Sequence, residues 1–220
     1  MKKIAVIGLG TFGKNLALDL AESGAEVLAV DLSEERINEI KHPNITAVKF
    51  DSTDINEIER FGLKDMDAVV ITIGENFEAM LLTCMLLKEL GVKRIIARAN
   101  EPIHKKILKS IGIKEEDIIS PEEDVAKRLS KILLSDGFIE FFEIEKDYEI
   151  AWIKTPPNFI GKTIRELDLR KNYNVLLITL IKNKKVVGVL DPDLKIEKDD
   201  ELLIFGKDKD IKKIISQSYV

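Results

Sequence analysis

Residues Ile4-Ala5-Val6-Ile7-Gly8-Leu9-Gly10-Thr11-Phe12-Gly13 carry a short apolar strand straight into glycines spaced G-x-G-x-x-G and on into a helical pattern. Few folds accept that junction. Gly8 permits the tight turn, Gly10 lets backbone approach a pyrophosphate, and Gly13 lets the helix pack closely on the sheet. The unpaired N–H groups and the dipole at the helix start favour anionic oxygens. A glycine pattern alone is a weak signal, but its position between a strand and a helix is the context that confirms it. Asp31 closes the next strand-like segment, about 20 residues further on. Its carboxylate can accept both ribose hydroxyl hydrogens and would repel a 2′-phosphate, so NAD, ADP or ATP fits better than NADP. Thr11 and Phe12 in the turn and Leu32 after Asp31 belong to the same candidate site.

The first half of the chain alternates strand-like and helix-like segments. Strands are predicted at 3–8, 26–31, 45–50, 67–73, 93–99 and 117–119. Helices are predicted at 11–23, 33–41, 53–61, 76–90, 102–111 and 121–134. Strands apolar on both faces and alternating with helices imply a parallel sheet covered on both sides. With the glycine turn first, the expected fold class is α/β, a doubly wound Rossmann sheet of strand order 3-2-1-4-5-6. Composition changes near Ser135-Asp136-Gly137. Strands are predicted after it at 138–144, 148–153, 174–181, 185–190 and 201–205, with helices at 163–167 and 208–216. The domains are therefore expected at 1–136, a Rossmann unit, and 137–220, a smaller α+β unit of about 80 residues that has little core of its own and dimerises or packs on a neighbour.

In open α/β sheets ligands bind at the carboxyl ends of the strands. The candidates there are Asp51 and Ser52 after strand three, Gly74 and Asn76 after strand four, Arg98 in strand five and Glu122 after strand six. Asp51 can accept from an adenine amino group or cap the helix that follows. Arg98 is a cation inside an apolar strand, costly to bury without an anion, so a phosphate or a carboxylate should stand beside it. Glu122, in the first turn of a helix, complements the helix dipole.

Catalytic chemistry is hard to find. The two histidines, His42 and His104, read as surface residues without a partner carboxylate in sequence, whereas a dehydrogenase needs a general acid or base near the nicotinamide. Cys84 lies in an almost uniformly apolar helical segment and reads as a buried hydrophobe. That helix should be covered by another element or a second subunit. A single cysteine excludes an intramolecular disulfide. No apolar run approaches the ~20 residues of a membrane span, and no leader pattern precedes the first strand, so any work at a membrane goes through a partner. With 34 basic and 39 acidic residues, net −5, and no basic stripe, nucleic-acid binding is not expected. The bound nucleotide reads as a signal, with a small NAD-dependent oxidoreductase, or a nucleotide sensor unconnected to ion transport, as the rival readings.

These residues resemble a known family across nearly the whole chain. Ile7-Gly8-Leu9-Gly10-Thr11-Phe12-Gly13, Val30-Asp31, Asp51-Ser52-Thr53, Ile73-Gly74-Glu75-Asn76, Ala97-Arg98-Ala99 and Ser120-Pro121-Glu122 look like the N-domain of RCK (regulator of potassium conductance) proteins of the TrkA and KtrA type. Gly161-Lys162-Thr163-Ile164-Arg165-Glu166-Leu167 and Asp191-Pro192, followed by Asp200-Glu201-Leu202 and Gly206, are similar to the RCK C-domain. The resemblance implies a cytoplasmic homo-oligomer, usually an octameric ring of dimers, docked under an integral-membrane potassium channel or transporter subunit. ATP and ADP would favour different ring shapes, and the 124–134 helix would pack on a neighbouring subunit. Relatives often carry Arg at the position of Thr11 to meet a terminal phosphate, and Thr11 gives weight to NAD or AMP-type ligands. Glu122 matches an acidic position implicated in binding a divalent or monovalent cation. Ile164, Leu169 and Arg170 match positions that bind cyclic di-AMP in some relatives, while Arg165 and Leu176 depart from that pattern.

Overall fold

Six strands with both faces apolar build a parallel sheet: β1 (Lys3–Ile7), β2 (Glu26–Asp31), β3 (Ile45–Lys49), β4 (Ala68–Ile71), β5 (Ile95–Arg98) and β6 (Ile118–Ile119). Their order is β3-β2-β1-β4-β5-β6, as the sequence predicts. The structure, a computed structural model, describes residues 1–134 and 137–216 of the 220. Helices α1 (Thr11–Glu22), α2 (Glu34–Glu39), α3 (Ile55–Arg60), α4 (Phe77–Glu89), α5 (Pro102–Ser110) and α6 (Pro121–Leu133) alternate with the strands. Period-two alternation splits the apolar side chains between the two faces. Ala5 and Ile7 of β1 join Ile58, Met80, Leu87 and Leu108 on one side of the sheet. Val6 joins Ala17, Ala21, Val27 and Ala29 on the other.

The cap of α3 differs from the sequence reading. Asp51 does not cap α3; its Oδ1 accepts from the Thr53 N–H at 2.9 Å and the Thr53 hydroxyl at 2.7 Å. Asp54 caps instead, accepting from the Asn56 N–H at 2.9 Å. Asp51, four residues before α3, accepts from the N–H two residues on and so turns its own loop, and the next acid takes the cap.

The chain divides into two compact units, the first Met1–Glu123 and the second from Asp124 onward. The composition change expected at Ser135-Asp136 falls outside the described residues. The second unit is an antiparallel sheet of order β10-β9-β11-β8-β7, formed by β7 (Phe138–Glu145), β8 (Tyr148–Lys154), β9 (Leu176–Lys182), β10 (Lys185–Val186) and β11 (Glu201–Lys207). Its core of Phe159, Leu180, Ile196, Leu202, Ile204 and Ile214 is closed by α7 (Ile164–Leu167), α8 (Leu169–Tyr173) and α9 (Asp208–Ser216). Asn183 and Lys184 both adopt positive φ and form the two-residue turn that joins β9 to β10. The strand after it pairs at only two residues rather than the six predicted. Helix α8 was not foreseen: it follows Asp168, which adopts positive φ and caps it.

Candidate functional site

A crevice of about 860 Å³ opens at the carboxyl ends of the parallel strands. It is built first by the β1–α1 turn. Gly8 takes φ +97 and donates its N–H to the Val30 carbonyl at 2.7 Å, closing the turn against β2. Thr72, buried after β4, caps the Gly8 carbonyl through its hydroxyl at 2.5 Å. A Cβ on Gly13 would lie against that same carbonyl and the Thr72 hydroxyl, far inside contact distance. Gly13 is thus a packing glycine beneath the crevice and does not line it. A Cβ on Gly10 would meet nothing within 4 Å, and no side chain caps the start of α1. The first N–H groups of α1 therefore face the crevice without a protein acceptor from a capping side chain.

Asp31 is 7% exposed, at the end of β2. Its Oδ2 accepts from the Leu9 N–H at 2.6 Å, and its Oδ1 from the Ser33 N–H at 2.8 Å. The Arg36 guanidinium reaches Oδ2 at 3.4 Å. One carboxylate thereby ties the glycine turn, the α2 cap and a basic side chain together at one end of the crevice. Sequence reasoning placed Arg36 in a helix and missed its part in the site. Only its spacing five residues after Asp31, one helical turn past the cap, pointed to it.

Gly8, Gly10, Thr11 and Phe12 line the crevice from the first turn. Asp31 and Leu32 line it after β2, Asp51 and Ser52 after β3, Gly74 and Asn76 after β4, and Arg98 and Glu122 close the far end. Ser52 turns its hydroxyl to Thr83 of α4 at 2.9 Å, and Asn76 caps α4 by accepting from the Ala79 N–H at 3.0 Å. Both thus have structural duties beside their place on the wall. Asn100, absent from the sequence reading, donates to the Gly74 carbonyl at 2.7 Å and shapes the same end.

Arg98 finds the carboxylate that burial demands. Its Nη2 is ion-paired to Glu122 in the first turn of α6, and its guanidinium lies 5.9 Å from the Phe12 ring centroid. Its Nε is buried with no hydrogen-bond partner. Glu122 stands in this pair, and among the described residues no three His, Cys, Asp or Glu side chains converge to hold a metal ion. In the second unit Leu169 is buried in the core and Ile164 packs against that core, while Arg170 faces solvent.

The residues weighed for catalysis are placed elsewhere. Cys84 is fully buried on α4, and burial pushes its thiol up to about 12, which keeps it protonated and inert at neutral pH. His104 is not the solvated residue that sequence suggested: it stacks on Phe77 with ring centroids 3.8 Å apart, because α5 lies beside the start of α4. His42 accepts from the Asn44 N–H at 3.1 Å within its own loop. Among the described residues no helix is long and apolar enough to cross a membrane.

Two family profiles match the chain: the TrkA-N domain over residues 4–121 and the TrkA-C domain over residues 150–217. Ktr system potassium uptake protein C of Bacillus subtilis (strain 168) is 35% identical over 210 residues, covering 96% of this chain and 94% of that protein. Among solved structures, the GsuK RCK domain superposes with a TM-score of 0.69 at 16% identity, over 100% of this chain and 48% of that one. A structure titled GsuK channel bound to NAD gives 0.65 at 15% identity, over 97% of this chain and 38% of that one. The chain thus spans less than half the length of these structural neighbours, whose likeness shows the fold.

Proposed function

The chain belongs to the family of TrkA-N and TrkA-C domain proteins, and from that membership we propose that it is a cytoplasmic regulatory subunit that binds an adenine nucleotide and gates a membrane potassium channel or transporter. The observation that carries the reading is the β1–α1 turn: open space at Gly10, an uncapped helix start and the Asp31 carboxylate converge on one crevice. Phosphates would sit over the turn and the ribose on Asp31, with the adenine toward Asp51 and Leu32. The GsuK channel bound to NAD supports a dinucleotide as one such ligand, and ATP and ADP are proposed on the same chemistry. A cation would join the ligand's phosphates at Glu122. The nucleotide acts as an effector and not as a reagent, and it can shift a gating equilibrium only by binding two shapes of the assembly with different affinity. The name of the Ktr relative supports potassium as the transported ion. The protein would reach the inner face of the plasma membrane through its channel partner.

A thermal-shift screen with ATP, ADP, NAD, NADH and cyclic di-AMP tests this. Ligand at about 100 times its Kd adds ~2.7 kcal/mol of stability, so at least one adenine nucleotide should raise Tm by several degrees. Asp31→Ala should abolish the response. Cyclic di-AMP addresses the second unit, and its response should survive Asp31→Ala. No adenine nucleotide effect, or oxidation of NADH with an added acceptor, would overturn the regulatory reading.

A further inference from the structure

The far end of the crevice holds an incomplete contact. Arg98 leaves β5 beside Gly74 and Asn100, with its side chain 17% exposed. Its Nη2 grips Glu122, whose side chain is 62% exposed. The neighbouring Nε, on the same edge of the planar guanidinium, is buried with no acceptor. Nε and Nη2 form one fork, shaped for two parallel bonds to a carboxylate or phosphate. Glu122 uses one prong. A buried donor left unmade costs more free energy than an ion pair to a mostly exposed carboxylate returns. An acceptor that fills both prongs is therefore favoured over Glu122. A phosphate carried into the crevice is such an acceptor, and its negative charge disfavours a carboxylate on the same fork.

We infer that Arg98 exchanges partners: it holds Glu122 while the crevice is empty and transfers to a ligand phosphate when nucleotide binds, so that phosphate occupancy unties the first turn of α6. This rests on the nucleotide reading above and adds to it the path by which occupancy leaves the site. Helix α6 begins in the first unit and carries the chain into the second. Among the described residues, side-chain contacts at its start fasten it to the first unit. Ser120 donates to the Ala99 carbonyl at 2.6 Å, Lys105 pairs with Glu123 at 2.6 Å, and Arg98 pairs with Glu122. The last is the one that a ligand phosphate competes for. By linkage, whatever holds Glu122 on Arg98 weakens phosphate binding to the same degree.

The experiment compares ADP with adenosine, which lacks phosphate, on wild type, Glu122→Gln and Glu123→Gln, with EDTA present to remove divalent cations. Glu122→Gln should tighten ADP about two- to fivefold, the factor equivalent to one exposed ion pair, and leave adenosine unchanged. Glu123→Gln removes an equal charge from the adjacent position, off the Arg98 fork, and should leave adenosine unchanged and tighten ADP less than Glu122→Gln does. Amide exchange at residues 124–127, whose N–H groups report the first turn, should rise when ADP binds wild type. In Glu122→Gln it should be high already and unaffected by ADP. Equal tightening in both variants, ADP-induced protection of 124–127, or weaker ADP binding to Glu122→Gln would each overturn the partner exchange while the nucleotide site stands. Failure of ADP and of adenosine to bind wild type would overturn the site itself.

Discussion

Gly10 and Gly13 sit three residues apart and answer to different demands, and substitution separates them. A Cβ at Gly10 enters open crevice on an extended backbone, φ −61 and ψ −179, that any residue adopts. Gly10→Ala should therefore fold with little change in Tm, yet lose most of its nucleotide-induced thermal shift, because the methyl occupies the path of approaching phosphates. A Cβ at Gly13 is driven into the Gly8 carbonyl and the Thr72 hydroxyl, and both are backbone-anchored. Gly13→Ala should cost roughly 1–3 kcal/mol or more by overpacking, read as a lowered denaturant midpoint in the absence of ligand. If Gly13→Ala folds normally and Gly10→Ala does not, the assignment of the turn is reversed. Most crevice residues were legible in the sequence because the rule that ligands bind at strand carboxyl ends needs only the strand boundaries. Arg36 and Asn100 were not. Arg36 enters through the turn of α2 back onto Asp31, and Asn100 through a bond to Gly74, 26 residues away in sequence. Arg36 leaves only its spacing from the α2 cap as a sign, and the placement of Asn100 has no local pattern.

The strand order was readable because each β-to-α unit of the first half is local and the crossover rule leaves one hand. The second unit was less so: its sheet pairs β11 with both β8 and β9, contacts far apart in sequence. What secures the chain there is a charge cluster that no periodicity announces. Lys131 of α6 donates to Glu149 of β8 and to Asp208 of α9 at 2.7 Å, and lies 4.2 Å from the Phe141 ring centroid. Glu149 is 3% exposed, and one of its oxygens has no partner. Burial pushes its carboxyl above the ordinary range despite Lys131. Burial pushes Asp208 the same way, but hydrogen bonds from Lys131 and Lys212 outweigh it and hold Asp208 below its ordinary value. The two acids act oppositely on stability. Between about pH 4.3, the unfolded value for Glu, and its higher folded value, native Glu149 binds the proton more tightly than the unfolded chain does. Its contribution therefore falls as pH rises through that window. Asp208 contributes stability above about pH 3.9 that is lost as pH falls through its folded value. Removing the cation in Lys131→Met leaves Glu149 buried and unpaired, at a cost of roughly 3–5 kcal/mol at pH 7. That cost should shrink as pH falls through the raised folded value of Glu149 and the carboxylate takes up its proton. Urea midpoints of both proteins across pH 4.5–8 check this, and a pH-independent difference would rule out the charge cluster as the cause.

Assembly is the remaining scale, and the apolar surface of α6 speaks to it. The helix buries none of its described residues in the chain itself. Val125, Leu129 and Leu133, four residues apart in turn, are 59%, 52% and 73% exposed. On α4, Leu82 and Met85 are also exposed, as expected of a helix too apolar to face water all round. Side chains three and four apart share one helical face, so α6 presents a continuous apolar stripe that a stable soluble chain has reason to cover. A second copy of the chain, the occupant that the RCK resemblance implies, would do so through a self-complementary contact. Leu129→Glu combined with Leu133→Glu places two charges on that stripe without entering the chain's own core. Light scattering after size-exclusion chromatography should find a multimer for wild type and a smaller species, down to monomer, for the double variant. The variant should keep its thermal shift with nucleotide, because the crevice is built from Met1–Glu123 alone. An unchanged mass in the variant would show that α6 is not the assembly surface. A wild-type chain that runs as a monomer at all concentrations would remove the ring, and with it the means by which a bound nucleotide is to act on a membrane pore.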